Sequence, residues 1–215
     1  MIGMDEAGRG PVLGPLVVAA MQIDDERFLK DIGVRDSKRL SPKRRERLYQ
    51  ELITCCEFRA ESVSAREIDE LRRNATLNKI EESLFIKAAS DLEYADEPLY
   101  VDCCDTDERR FGNALEAGLP GARVCSCHRA DEKYPCVAAA SIIAKVIRDS
   151  NISHLNEVAI ERWGIGIGSG YPSDPDTCRF LQYFKENKEE MPFFVRRSWK
   201  TVQNLGQSTL DAYNE

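Results

Sequence analysis

The chain has 215 residues, of which 42% are hydrophobic and 31% charged, the balance of a globular fold with one domain and at most a small appendage. No apolar run is long enough to span a bilayer, and the start Met1-Ile2-Gly3-Met4-Asp5 lacks the basic and apolar regions of a secretory leader, so a cytoplasmic protein is expected. A net charge of −7 excludes a uniformly basic nucleic-acid coat, yet Arg35 to Arg47 holds seven basic residues against two acids, a local +5 that leaves −12 on the rest.

The pattern predicts a strand over Met1–Glu6 and a second over Leu16–Ile23. Gly8, Gly10, Pro11, Gly14 and Pro15 fill the connection, which suits antiparallel neighbours. Ser41-Pro42 caps and opens a helix to about Ile53, and Phe58–Ser64 alternates as a strand. Asn78 to about Tyr94 is helical, with Ile80, Leu84, Ala88 and Leu92 at helical spacing. Leu99-Tyr100-Val101 is a short strand ending on Asp102, and Ala122–Cys127 follows as the next strand. Pro135 opens a long helix to about Trp163. Four glycines between Gly164 and Gly170 lead to Tyr171-Pro172, Asp174-Pro175 starts a helix to about Asn187, and the tail from Met191 holds a loop and a terminal helix. This order predicts an α/β fold: a mixed sheet with helices packed on it.

The eight cysteines form no CxxC pair, and His128 and His154 stand far apart, so small buried thiols in a reducing compartment are expected rather than disulfides or zinc. Arg196, Arg197 and Lys200 cluster around Trp199 and read, by themselves, as a solvated surface. The acids are more informative. Asp5-Glu6 end the first strand, Asp102 ends a later one, and Asp131 precedes the proline that opens the long helix. One such acid is ordinarily a cap or turn residue. Several beside a probable core must be paired or hold a hard cation such as Mg²⁺ or Mn²⁺. Spacing alone does not show that they meet.

The blocks Asp5-Glu6-Ala7-Gly8-Arg9-Gly10-Pro11, Asp36-Ser37-Lys38-Arg39-Leu40, Tyr100-Val101-Asp102, Ala130-Asp131-Glu132-Lys133-Tyr134-Pro135, Val137 to Val146, Gly168 to Pro175 and Trp199-Lys200-Thr201 resemble, in order, those of the ribonuclease HII family in its archaeal form. They cover nearly the whole chain. The resemblance implies a ribonuclease H-like fold with a five-stranded mixed sheet over residues 1–175 and a helical extension over 176–215. It implies an endonuclease that cuts the RNA strand of RNA–DNA hybrids and cuts at ribonucleotides embedded in duplex DNA, with a place in DNA replication and repair. By resemblance Asp5, Glu6, Asp102 and Asp131 are catalytic and hold two divalent ions, Mg²⁺ or Mn²⁺, which clamp an in-line displacement that leaves a 5′-phosphate and a 3′-hydroxyl. Gly8, Arg9 and Gly10 would read the 2′-hydroxyl, Ser37 and Lys38 the phosphates, and Tyr171 the deoxyribose that follows. The alternatives are a related metal-dependent nuclease without junction specificity and a non-catalytic hybrid-binding module. A monomer is expected. A sliding clamp is a conceivable partner, although Gln207-Ser208-Thr209-Leu210 with Tyr213 is a faint docking motif at best.

Overall fold

The computed structural model describes residues 1–34, 40–94 and 98–207, with the backbone alone at 206 and 207. Strands β1 (Ile2–Ala7), β2 (Leu16–Gln22), β3 (Glu57–Val63), β4 (Pro98–Asp102) and β5 (Arg123–Cys127) form one mixed sheet in the order β3-β2-β1-β4-β5. β1 pairs antiparallel with β2, as the glycine- and proline-rich connection predicts, and parallel with β4, which is parallel to β5. β1 is therefore the central strand, and its carboxyl end lies beside that of β4.

Nine helices are described: α1 (Glu26–Asp31), α2 (Pro42–Cys55), α3 (Ala65–Leu71), α4 (Leu77–Ser90), α5 (Glu108–Gly118), α6 (Ala130–Lys133), α7 (Pro135–Trp163), α8 (Pro175–Asn187) and α9 (Lys200–Gln207). The expected succession of two strands after Asp102 is corrected by α5. β4 and β5 are parallel, and a parallel pair requires a crossover. Asp107 supplies its cap, accepting from Arg110 N, and Phe111 and Leu115 supply its buried face. α3 is a second addition, started by a reciprocal capping box between Ser64 and Glu67.

The chain forms two compact units, and neither is one uninterrupted stretch of sequence. The first comprises Met1–Ala7, Val17–Ser62 and Thr76–Ile147. Alternation along β2 divides its core. Val17, Ala19 and Met21 face one side, with Leu48 and Leu52 of α2 and Val137 to Ala144 of α7. Val18 and Ala20 face the other, with Phe85 and Ala88 of α4 and Phe111 and Leu115 of α5. Small residues bring α7 close to the sheet: a Cβ on Gly3 would lie 2.1 Å from the carbonyl carbon of Cys136. The second unit comprises Gly8–Leu16, Val63–Ala75 and Arg148–Glu215. Its core gathers Val12, Leu13, Ile152, Phe180, Phe184, Phe194 and Val195, with the Trp163 ring edge-on to three of the phenylalanines.

All eight cysteines are free, but only Cys103 and Cys136 are buried, which corrects the expectation of buried thiols throughout. Cys125 and Cys127 are half-buried because β5 is an edge strand, and Cys55 and Cys178 are exposed. No described helix is long and apolar enough to cross a membrane.

Candidate active site

In the first unit the sheet register brings the acids together. Met4 pairs with Val101, so the next residues, Asp5 and Asp102, emerge side by side at the carboxyl ends of parallel strands. Asp131 arrives by another route. After β5 the chain turns through Arg129, whose left-handed φ of 57° is uncommon for a residue with a side chain, and enters α6 directly. The turn is tied down on both sides: Ala130 N donates to Asp102 Oδ1 at 3.1 Å, and His128 N donates to Glu108 Oε1 at 2.6 Å. Asp5, Asp102 and Asp131 then each offer a carboxylate oxygen within 4.8 Å of the others. Asp5 and Asp131 are buried and Asp102 half-buried.

This arrangement is electrostatically unfavourable by itself. Burial, then the charges of Glu6 and Asp102, hold the Asp5 carboxyl well above the usual carboxylate range. Ser141 and Lys145 oppose that shift. Lys145 Nζ donates to Ser141 Oγ at 2.6 Å, which leaves the Ser141 hydroxyl proton for Asp5. Both lie on α7 one turn apart. Glu6, half-buried, is the strongest charged neighbour of Asp5 but stands outside the group of three, as expected for consecutive residues that leave a strand on opposite faces. The group contains only carboxylate oxygens, the donor set of Mg²⁺ or Mn²⁺ rather than of zinc, and a cation there would relieve the crowding of like charge.

The second unit holds the turn that follows β1. Gly8 has φ of 93°, and a Cβ there would lie 2.5 Å from Pro15 O and 2.8 Å from Arg148 Cδ, so only glycine fits. Gly10 is exposed, and its α-carbon faces the Tyr171 ring, with Cε1 3.8 Å from where a Cβ would stand. Tyr171 is 41% exposed. The Arg148 guanidinium lies 5.2 Å from the ring centroid and donates through Nη2 to Ser169 O at 3.0 Å. Asp174, the N-cap of α8, accepts from Ser169 Oγ, from Ser169 N and from Asp176 N, bonds that hold its carboxyl down to about 2. The tyrosine is thereby placed by a braced loop, next to the turn named with it from the sequence.

One sequence expectation changes here. Arg196 does not belong to a solvated patch: it is fully buried, while Arg197 and Lys200 are exposed. Its Nε and Nη1 donate to backbone carbonyls and the Trp199 ring stacks on the guanidinium, although Nη2 finds no hydrogen-bond partner among the described residues and burial holds the pKa down to about 9. Ser37 and Lys38 lie outside the described residues, as does most of the tail motif after Gln207. Within the remaining basic run Arg44 donates to Ile32 O and Arg47 pairs with Glu51, whereas Lys43 is exposed. Ser141, Lys145 and Arg148 were not singled out from sequence, and Arg196 only as one of a basic cluster. The serine–lysine spacing of four on a helix is the one local signal among them.

A mixed five-stranded sheet flanked by helices, with three carboxylates that could hold a metal ion gathered beside its central parallel strands, has the layout of a ribonuclease H-like fold. The sequence model of the Ribonuclease HII family matches residues 2–202. The Ribonuclease HII of Thermococcus onnurineus is 43% identical over 209 residues, which cover 95% of this chain and 89% of the relative. The crystal structure of ribonuclease H2 from Pyrococcus horikoshii superposes with a TM-score of 0.85 at 42% identity, covering 96% of this chain and 97% of that one. The ribonuclease HII in the PCNA complex from Archaeoglobus fulgidus superposes with a TM-score of 0.84 at 42% identity, over 93% and 94% of the two chains. The chain belongs to the ribonuclease HII family and is an endoribonuclease of ribonuclease H type 2.

Proposed function

We propose that this protein hydrolyses the RNA strand of RNA–DNA hybrids and also cuts duplex DNA at embedded ribonucleotides, leaving a 5′-phosphate and a 3′-hydroxyl. The observation that carries the reading is the buried carboxylate group, with oxygens of Asp5, Asp102 and Asp131 within 4.8 Å of one another. Buried like charges are costly unless a cation joins them. A pair of Mg²⁺ or Mn²⁺ ions, when bound, supplies activation of the attacking water and stabilisation of the leaving oxygen. Asp5 and Asp102 provide a base fixed by strand pairing, Asp131 completes it from α6, and Glu6 adds a fourth negative charge beside Asp5. Ser141, backed by Lys145, orients the Asp5 carboxylate.

In this reading Gly8, Arg9 and Gly10 recognise the ribose 2′-hydroxyl, the group that separates RNA from DNA. Tyr171 packs on the deoxyribose that follows, where a hydroxyl would be disfavoured. Requiring the hydroxyl at one sugar and resisting it at the next gives sharper selection than either alone. Ser37 and Lys38 contact phosphates, which position the duplex without reading its sequence. The partner to test first is PCNA, present in the Archaeoglobus fulgidus complex, by co-elution with this chain before and after removal of residues 208–215.

The test uses two labelled substrates, a duplex holding one ribonucleotide and a continuous RNA–DNA hybrid, with and without divalent ions. Both should be cut only with the ions, and the downstream product should carry a 5′-phosphate. Cleavage of the hybrid alone would favour a nuclease without junction specificity.

A further inference from the structure

The largest fully buried side chain among the described residues is a charged one, Arg196. A guanidinium taken out of water must use its donors. Here Nε and Nη1 go to one loop of the same unit, Nε donating to Gly14 O at 3.0 Å and Nη1 to Arg9 O at 3.2 Å, while Nη2 has no hydrogen-bond partner among the described residues. The Trp199 ring stacks on the guanidinium, with its centroid 4.8 Å from the central carbon. The backbone around Arg196 grips the same loop. Arg196 N donates to Val12 O, Gly14 N donates to Phe194 O, and Leu13 bridges to Val195. Those backbone bonds end at Val12. Only the guanidinium extends the grip to Arg9, inside the Gly8-Arg9-Gly10 turn.

The consequence follows from peptide geometry. The Arg9–Gly10 peptide is planar and, like every described peptide, trans. Its carbonyl and its N–H therefore point in opposite directions. A carbonyl held on Arg196 turns the Gly10 N–H away from Arg196. Gly10 is exposed, and no backbone acceptor among the described residues takes that N–H. An N–H of fixed direction on an exposed glycine can donate to a ribose 2′-hydroxyl and finds no such acceptor on a deoxyribose.

We infer that Arg196 is a positioning residue for sugar discrimination: it sets the plane of the Arg9–Gly10 peptide and so aims the Gly10 N–H. This rests on the reading of the turn as the 2′-hydroxyl contact. A lysine cannot do the same, because one compact ammonium lacks the planar fork that spans two carbonyls and stacks on an indole.

The full-length protein is titrated, in EDTA so that nothing is cut, with two duplexes that differ at one sugar, ribose or deoxyribose. Thermal unfolding is followed in parallel. Wild type should prefer the ribose duplex. Arg196→Lys should lose roughly tenfold of that preference while its affinity for the all-DNA duplex stays within about twofold, the scale of one charged hydrogen bond. Arg197→Lys, at the exposed neighbour, should keep the preference. Trp199→Leu, which removes only the stacked ring, should lose a smaller part of it. A folded Arg196→Lys that keeps the wild-type preference, or loses affinity for both duplexes by one factor, overturns the inference. If Arg196→Lys does not fold, an unchanged preference in Trp199→Leu overturns it instead. Wild type without any preference would remove the 2′-hydroxyl reading of the turn itself, and the inference with it.

Discussion

The two units bury charge in opposite ways. In the first, Asp5, Asp102 and Asp131 crowd like charges at strand ends, and the surroundings disfavour the ionised form of Asp5. In the second, Arg196 is buried more deeply still, and burial and the like charge of Arg148 hold its pKa down to about 9, but carbonyl oxygens and an aromatic ring of the same unit answer part of its charge. The first arrangement gathers like charges, and the second answers part of its charge from within the same unit. On the proposed reading, that difference separates a site for chemistry from a brace for recognition. It also says where substitutions should act: on rate and on response to metal in the first unit, on discrimination between sugars in the second.

The largest effects should come from the carboxylates. Asp5→Asn, Glu6→Gln, Asp102→Asn and Asp131→Asn should each slow cleavage in Mg²⁺ by on the order of a thousandfold, since each weakens the hold on a charge worth several kcal/mol at the transition state. Asp131→Asn should regain part of its rate in Mn²⁺. Near-normal rates for Asp5→Asn or Asp102→Asn would break the assignment. Smaller and more selective is Tyr171→Ala, which should lose roughly tenfold more rate on a single embedded ribonucleotide than on a continuous hybrid, the size of effect that one aromatic contact supplies. Equal losses on both substrates would remove Tyr171 from junction reading.

Stability offers a sharper contrast. The Asp5 carboxyl ionises more readily in the unfolded chain than in the fold. Its cost to folding is thus absent below the unfolded value near 4, grows as the pH rises towards the elevated folded value, and is complete above it. Asp5→Asn should therefore raise the melting temperature of the metal-free protein at pH 7, by roughly 2–4 °C for each 1 kcal/mol relieved. Added Mg²⁺ should stabilise wild type but hardly the variant. Asp174 has the opposite sign. Its hydrogen bonds lower the folded value to about 2, so its contribution is whole above the unfolded value near 4 and fades as the pH falls towards 2. Asp174→Ala should cost about 1 kcal/mol at neutral pH, the usual worth of a helix cap, and the gap to wild type should narrow between pH 4 and 2. The smallest effect is expected at Lys38: Lys38→Ala should lower the salt slope of hybrid binding by about one, as the loss of one phosphate contact does.

Much of this was legible in the sequence because it is carried by local pattern. β1 and β2 read as strands from their apolar runs, and α2, α7 and α8 from Ser41-Pro42, Pro135 and Asp174-Pro175. What escaped depends on partners distant along the chain. α5 was hidden because two short strands read plausibly as successive until their parallel pairing requires a helix between them. The meeting of Asp5 with Asp102 depends on the pairing of Met4 with Val101, and the arrival of Asp131 on one left-handed residue, Arg129. Arg196 misled because a run of basic residues looks like surface. Its partners, Arg9 and Gly14, lie more than 180 residues earlier, and no periodicity links them. The family resemblance named the acids and the turn; how the serine, lysine and arginines sit against them appears only in the fold.

The central claim is that the carboxylates of the first unit become a working site when they take up divalent cations. Mg²⁺ titrated calorimetrically into metal-free wild type and Asp102→Asn, with cleavage of the single-ribonucleotide duplex measured at each concentration, tests it directly. The account predicts saturable binding to wild type, cleavage that rises with occupancy, and the loss of both in the variant. Cleavage of that duplex by wild type in excess EDTA, or undiminished Mg²⁺ binding and cleavage by Asp102→Asn, would contradict it.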